Sequence, residues 1–183
     1  MKVSSTTKKI TPSLTRKLFN MAQEYTDVVD LTLGDPDLSV SEEIKKAACN
    51  AIENNLTHYS ANAGLFEVRK AVSDHVSKIW GVESNTENVM LTVGGMEALY
   101  LSLLCMIDAG DEVIIFAPYY VNYVQMVSMC GGKPVIIDSY GKNGFEITKE
   151  QIIERVTEKT VATVTALPTI NAHKEMKQIL FFV

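Results

Sequence analysis

Short runs of consecutive apolar residues alternate with helical stretches in the second half of the chain, and this alternation constrains the fold most. The runs that fit buried strands lie at residues 89–93, 112–117, 134–138 and 161–166. Strands that are apolar at nearly every position, rather than at every second one, are typical of parallel sheets covered by helices on both faces. The sequence therefore predicts an α/β fold of three layers, with a mostly parallel sheet between two layers of helices.

Apolar stripes at helical spacing predict the helices. These cover residues 14–25, 42–54, 65–80, 96–107, 121–129 and 148–156. Ser39, followed three residues later by Glu42, fits a capping box before the second of them. Gly81 stands where the third should end. The alternation of strand and helix begins only after this glycine.

Composition limits the kind of partner that the chain can have. Its 183 residues include 17 Lys and Arg against 22 Asp and Glu, which gives a net charge of −5 without any basic run. Nucleic-acid binding therefore has no electrostatic support. The apolar runs are too short to cross a bilayer, and the polar start lacks the apolar core of a secretory signal. We expect a cytoplasmic protein with neither nucleic acid nor membrane as a partner.

The cysteines and histidines show no metal-binding pattern. Cys49, Cys105 and Cys130 have no CxxC spacing, and an odd number of cysteines suits a reducing compartment. Their apolar neighbours predict that all three are small core residues. The three histidines are also not at metal-ligand spacing, so we expect no metal site.

Two glycines between a predicted strand and a predicted helix form the most informative local feature. Gly94 and Gly95 let a ligand approach the backbone closely, and the N–H groups of a helix start attract anions. A tight turn that binds nothing explains the same residues equally well. The dinucleotide and P-loop patterns are both absent, which favours a phosphate-bearing cofactor of another kind.

An aromatic pair follows the next predicted strand. Tyr119 and Tyr120 come directly after Pro118, at the carboxyl end of the sheet, where open α/β sheets bind their ligands. An aromatic ring there can lie flat on a planar ligand, or it can simply cap the core.

Five segments, in this order, resemble the class I/II aminotransferases that depend on pyridoxal 5′-phosphate (PLP) and have the fold-type I architecture. They read LTLGDPD at residues 31–37, YSANAG at 59–64, LFEVRKAV at 65–72, LTVGGMEAL at 91–99 and GDEVIIFAPYY at 110–120. The resemblance extends over roughly residues 11–165. It implies PLP as cofactor and the transfer of an amino group between an amino acid and a 2-oxo acid.

The resemblance also implies residues that contact the cofactor phosphate. Gly94, Gly95 and Met96 occupy the position that holds it. Met96 stands where a hydroxyl or amine side chain is often found, so only its backbone N–H is expected to help. Tyr59 matches a tyrosine that reaches the phosphate of the neighbouring subunit, which implies a homodimer with shared sites. Tyr59 could instead be only an exposed loop aromatic.

Two further positions take roles from the resemblance. Tyr120 matches the aromatic residue that stacks on the pyridine ring. Gly34 matches a backbone position near the substrate carboxylate, although it could be only a turn glycine.

The family pattern stops near residue 167. The Schiff-base lysine, the acidic partner of the ring nitrogen and the substrate arginine have no matching position, so no catalytic residue is assigned. We predict an N-terminal arm and small-domain segment at residues 1–40, the first half of the PLP-binding large domain at 41–166, and a tail that departs from the family at 167–183. The large domain is then incomplete, with an apolar face uncovered.

We therefore expect a truncated or frame-shifted product that is inactive alone, with a natural short paralogue as the other explanation. Two further functions stay open at this point. One is a non-catalytic module of the same fold that pairs with an intact relative. The other is a PLP-dependent carbon–sulfur lyase. Fold alone does not separate them, because function depends on the site.

Overall fold

The computed structural model describes residues 2–10, 13–29, 31, 34 and 37–165. The chain divides into two compact units, one of residues 22–93 and the other of the residues up to 21 together with those from 94 onward. The domain boundaries expected from the sequence stay a prediction, and the predicted tail at 167–183 lies outside the described residues.

In the described chain, five helices precede the first strand, and strands and helices alternate from there on. The helices are α1 Ser5–Lys9, α2 Leu14–Ala22, α3 Glu42–Glu53, α4 Phe66–Trp80, α5 Gly95–Leu104, α6 Asn122–Met129 and α7 Lys149–Ile153. The strands are β1 Glu112–Phe116, β2 Lys133–Ile137 and β3 Thr160–Val164. Short 3₁₀ turns lie at Thr86–Asn88 and Gly141–Asn143.

The strands form one parallel sheet in the order β2-β1-β3, which confirms the predicted parallel arrangement. Parallel strands need crossover connections, and α6 lies in the connection from β1 to β2 and α7 in the connection from β2 to β3. The central strand β1 is buried at all five positions, because it has a neighbouring strand on each side and a packed layer on each face.

Successive residues of β1 point to opposite faces of the sheet, so one strand contributes to two cores. Val113 and Ile115 belong to the core that contains residues of α5 and α6. Ile114 and Phe116 belong to the core on the other side, against which Ile152 of α7 also packs. These two cores produce the three-layer α/β/α arrangement that the sequence predicts.

The unit of residues 22–93 is built around α4. This helix ends at Gly81, which has the left-handed φ of 64° that favours glycine at a C-cap. Ser73 Oγ donates to the carbonyl of Ser84 at 3.1 Å, and Arg69 Nη1 donates to the carbonyl of Thr86 at 2.7 Å. These two bonds attach the chain that follows α4 to the helix surface.

Residues 89–93 do not form the predicted strand. The backbone N–H of Leu91 donates instead to the carbonyl of Ala63, at 3.0 Å. No strand in the described part of the chain pairs with this segment. An apolar run therefore needs more than a suitable composition, because a strand exists only where a neighbour accepts its hydrogen bonds.

Two other sequence expectations are wrong in detail. Ser41, not Ser39, caps α3, because the helix starts at Glu42 and the Ser41 side chain accepts from the N–H of Ile44 at 3.4 Å. Cys49 and Cys105 are exposed, and Cys130 is only partly buried. Apolar neighbours in sequence did not identify core positions here, because sequence neighbours on a helix point in different directions.

Candidate functional site

The turn before α5 requires glycine for conformational reasons. Gly94 has φ 78° and ψ 169°, a backbone region that is essentially restricted to glycine. A Cβ atom built on Gly94 would meet no other atom within 4 Å. Crowding therefore does not explain the glycine, and the space beside the turn is open to a ligand.

The helix that follows presents its positive end at this turn. The first backbone hydrogen bond of α5 runs from the N–H of Ala98 to the carbonyl of Gly94, at 3.4 Å. The N–H groups of Gly95 and Met96 precede that bond, in the turn where helices lack internal acceptors. The aligned peptide dipoles add about half a positive charge there. This arrangement suits an oxyanion such as a phosphate.

Tyr120 lies beyond the carboxyl end of the central strand β1, after a cis peptide bond between Ala117 and Pro118. The Tyr120 ring packs edge to face against the ring of Tyr123, with 5.7 Å between the centroids and an angle of 78° between the planes. Tyr123 is buried in the core. This burial raises the pKa of Tyr123, and electrostatic repulsion from Tyr120 raises it further. Tyr120 itself is 49% exposed, so it presents a supported aromatic surface.

Asn122, the first residue of α6, joins these two features. Its side-chain Nδ2 donates to the phenol oxygen of Tyr120 at 2.8 Å and lies 3.6 Å from the sulfur of Met96. The structure thus brings Met96 and Tyr120 to a common partner, although they are 24 positions apart in the sequence. No sequence motif identifies Asn122, and its place two residues after Tyr120 is the only signal in the sequence.

The residues fit PLP. A helix start with an open glycine turn can hold a phosphate, and a half-exposed aromatic ring can cover a planar heterocycle. The shared contact of Met96 and Tyr120 with Asn122 shows that both features occur in one place.

The remaining predicted site residues belong to the unit of residues 22–93. Tyr59 is fully exposed, and Gly34 has no atom within 4 Å of a built Cβ. Gly64, which ends the loop after Tyr59, has a φ of 96°. A Cβ on Gly64 would collide with the Leu91 side chain, so glycine is required at this position. The roles of Tyr59 and Gly34 stay predictions.

The described residues contain no group of three or more His, Cys, Asp or Glu side chains placed to hold a metal ion. Over the same residues, no helix is both long and apolar enough to span a membrane.

Comparison with known proteins gives consistent matches. A family model described as "Aminotransferase class I and II" matches residues 26–173. The aromatic-amino-acid aminotransferase 2 of Thermococcus litoralis is 32% identical over 188 residues, covering 100% of this chain and 48% of that protein. The aspartate aminotransferase of Pyrococcus horikoshii is 35% identical over 153 residues, covering 84% of this chain and 39% of that protein.

A solved structure supports the same similarity. The aspartate aminotransferase of Thermus thermophilus with maleate matches with a TM-score of 0.83 and 32% identity, over 89% of this chain and 44% of that one. The chain spans about half the length of the curated relatives that it matches, or less.

Proposed function

The chain belongs to the aminotransferase class I and II family, and from this membership we propose that it provides the phosphate-binding side of a PLP-dependent aminotransferase. The reaction is the transfer of an amino group between an amino acid and a 2-oxo acid. PLP, when bound, supplies the electron sink for this chemistry. The residues of this chain bind and orient the cofactor.

One observation carries the proposal: Asn122 contacts both Met96, in the first turn of α5, and Tyr120, beyond β1. In the proposed complex the N–H groups of Gly95 and Met96 donate to the cofactor phosphate. Gly94 supplies the turn that leaves room for the phosphate, and Tyr120 stacks on the pyridine ring. A ligand with a phosphate at one end and a planar ring at the other matches this pair of features.

We extend the proposal to a homodimer in the cytoplasm. The fully exposed phenol of Tyr59 would reach the phosphate bound by a second copy. Gly34, which has open space beside it, would lie near the substrate carboxylate. Both assignments rest on the family resemblance and on the exposure of these residues.

We further propose that residues 1–183 alone do not transfer an amino group. The resemblance assigns no Schiff-base lysine and no substrate arginine to any position here. Those groups would have to come from a longer polypeptide or from an intact relative that pairs with this chain. The large exposed apolar side chains on α3 and α4 support such a pairing, because apolar surface of this kind favours association.

A titration of the purified chain with PLP, followed by visible absorbance and circular dichroism, tests the proposal. Pyridoxal, which lacks the phosphate, serves as the matched ligand. Saturable binding of PLP, with weaker binding of pyridoxal, is the expected result. Absence of saturable PLP binding would reject the cofactor assignment.

Borohydride reduction of the same mixture tests the proposed inactivity. Because no lysine is assigned to the cofactor, mass spectrometry should detect no single lysine that PLP modifies in stoichiometric yield, but only scattered labelling of exposed lysines by the aldehyde. An assay with aspartate and 2-oxoglutarate should give no transfer. A single modified lysine, together with measurable transfer, would reject this part of the proposal.

A further inference from the structure

The side-chain amide of Asn122 contacts two different elements of the fold. It donates to Tyr120 in the loop after β1, with 2.8 Å between Nδ2 and the phenol oxygen. The same nitrogen lies 3.6 Å from the Met96 sulfur in the first turn of α5. An asparagine amide carries two N–H donors, so it can serve both contacts at once.

The two contacts differ in strength. The contact with Tyr120 has the length of an ordinary hydrogen bond, whereas a thioether sulfur is a weak acceptor. The bond to Tyr120 is therefore the one that restrains a neighbouring side chain most.

A half-exposed tyrosine ring needs restraint if it is to present one fixed face. Tyr123 meets the Tyr120 ring edge to face, and Asn122 holds its hydroxyl at the far end. The ring is thus held at two points. A ring that is already oriented loses less conformational freedom when a ligand stacks on it, and such preorganisation strengthens binding.

We propose that Asn122 is a positioning residue that fixes the plane of the Tyr120 ring for stacking on the pyridine ring of PLP. This inference rests on the proposed function, because it requires PLP at this place. Asn122 acts through the phenol hydroxyl of Tyr120. Removal of either partner should therefore have the same consequence.

The test is a double-mutant cycle with Asn122→Ala, Tyr120→Phe and the double variant, read by PLP affinity and by the circular dichroism induced in bound PLP. Tyr120→Phe keeps the ring and removes only the hydroxyl. Each single change should weaken PLP binding by between about twofold and tenfold, the value of one neutral hydrogen bond. The double variant should bind no more weakly than the weaker single variant, because both changes break the same bond.

Matched controls remove similar groups elsewhere. Asn54→Ala deletes an amide that donates to the Asn50 carbonyl on α3 at 2.8 Å, and Tyr140→Phe deletes the hydroxyl of an exposed tyrosine. Both should bind PLP with the affinity and dichroism of the unchanged chain. Far-UV dichroism of each variant reports whether it is folded.

Asn122→Asp separates positioning from a general structural effect. Its carboxylate can accept a hydrogen bond from the Tyr120 hydroxyl, but it adds a negative charge near the start of α5. It should therefore bind pyridoxal like the unchanged chain and bind PLP more weakly. If Asn122→Asp binds pyridoxal no better than Asn122→Ala does, the positioning role is contradicted.

The remaining outcomes are distinguishable. Additive losses in the cycle, or wild-type affinity and dichroism in Asn122→Ala, would overturn this inference and leave the proposed function intact. Absence of PLP binding by the unchanged chain would overturn both.

Discussion

The N–H of Ala98 donates to the carbonyl of Gly94 at 3.4 Å, so the residue that caps the start of α5 has a φ of 78°. A side chain at this residue would force the backbone away from that conformation. The turn, the start of the helix and the proposed phosphate site therefore depend on the same glycine.

Gly94→Ala should destabilise the chain by about 1–3 kcal/mol, the cost of placing a residue with a Cβ in this backbone region, and should weaken PLP binding. Urea unfolding and a PLP titration measure the two effects. Gly81→Ala is the control, because Gly81 also has a positive φ, of 64°, but only ends α4. It should lose about 1 kcal/mol and keep its PLP affinity. Unchanged PLP binding by Gly94→Ala would contradict the assignment of the turn.

Tyr120→Ala should weaken the binding of PLP and of pyridoxal by the same factor, between about twofold and tenfold from lost aromatic stacking. The two ligands should be affected equally because Tyr120 is proposed to stack on the pyridine ring, which both contain. Gly94→Ala should instead weaken PLP more than pyridoxal. Tyr140→Ala controls for the loss of an exposed tyrosine. If Tyr120→Ala weakened the binding of PLP but not that of pyridoxal, Tyr120 would contact the phosphate and not the ring.

Glu112 should make stability depend on pH. Lys133 Nζ lies 2.8 Å from one carboxylate oxygen of Glu112, and the Thr157 hydroxyl donates to the other at 2.8 Å. The bond from Lys133, followed by that from Thr157, lowers the pKa of Glu112 below its ordinary value of 4.5. The unfolded chain then binds this proton more readily than the folded one, so the stabilisation is complete above about pH 4.5 and is lost as the pH falls further.

Glu112→Gln should accordingly lower the thermal midpoint of unfolding at pH 7. The gap in thermal midpoint between this variant and the unchanged chain should narrow as the pH falls from 4.5 to 3. Thermal scans over this range measure the difference. Glu83→Gln, at an exposed loop position, should follow the unchanged chain throughout. A difference that stays constant with pH would show that the charge of Glu112 is not responsible.

Leu103→Ala should lower the free energy of unfolding by about 2–5 kcal/mol, because it empties a buried core position. Leu103 is 1% exposed and packs in the core between α5, α6 and the sheet. Leu104→Ala is a matched control on the same helix, since Leu104 is 48% exposed, and it should cost much less. Equal costs in urea unfolding would mean that the faces of α5 are assigned incorrectly.

Ile52→Lys should reduce self-association of the chain. Ile52 lies on α3 and is 66% exposed, and exposed apolar surface promotes association. Asn50→Lys adds the same charge on the same helix without removing apolar surface. Light scattering measured against protein concentration should show a clear decrease in the apparent mass of the particles for Ile52→Lys only. An equal decrease for both variants would attribute the effect to charge.

The sheet could be predicted because its signal is local. Apolar runs identified all three strands, most clearly β1 and β2, which read EVIIF and KPVII. Gly81 identified the end of α4. Residues 89–93 have the same composition but no pairing partner among the described strands, and composition carries no information about a partner. Cys49 and Cys105 show the same limit, since burial depends on which way a side chain faces.

The site could be predicted only in part. Gly94 and Tyr120 stand at recognisable places, one between a predicted strand and a helix and the other beyond a strand end. Asn122 belongs to no motif, and its connection to the start of α5 is a contact with Met96 across 26 positions of sequence. Such a contact is visible only when the two helix starts are placed in space.

Phosphorus-31 NMR of PLP during titration with the chain tests the central claim most directly, because the claim is that the turn at Gly94 receives the phosphate. The resonance should shift and broaden with the unchanged chain and with Gly81→Ala, and should respond much less to Gly94→Ala. The claim would be contradicted if the unchanged chain left the resonance unaltered. It would also be contradicted if Gly94→Ala shifted and broadened the resonance as much as the unchanged chain does.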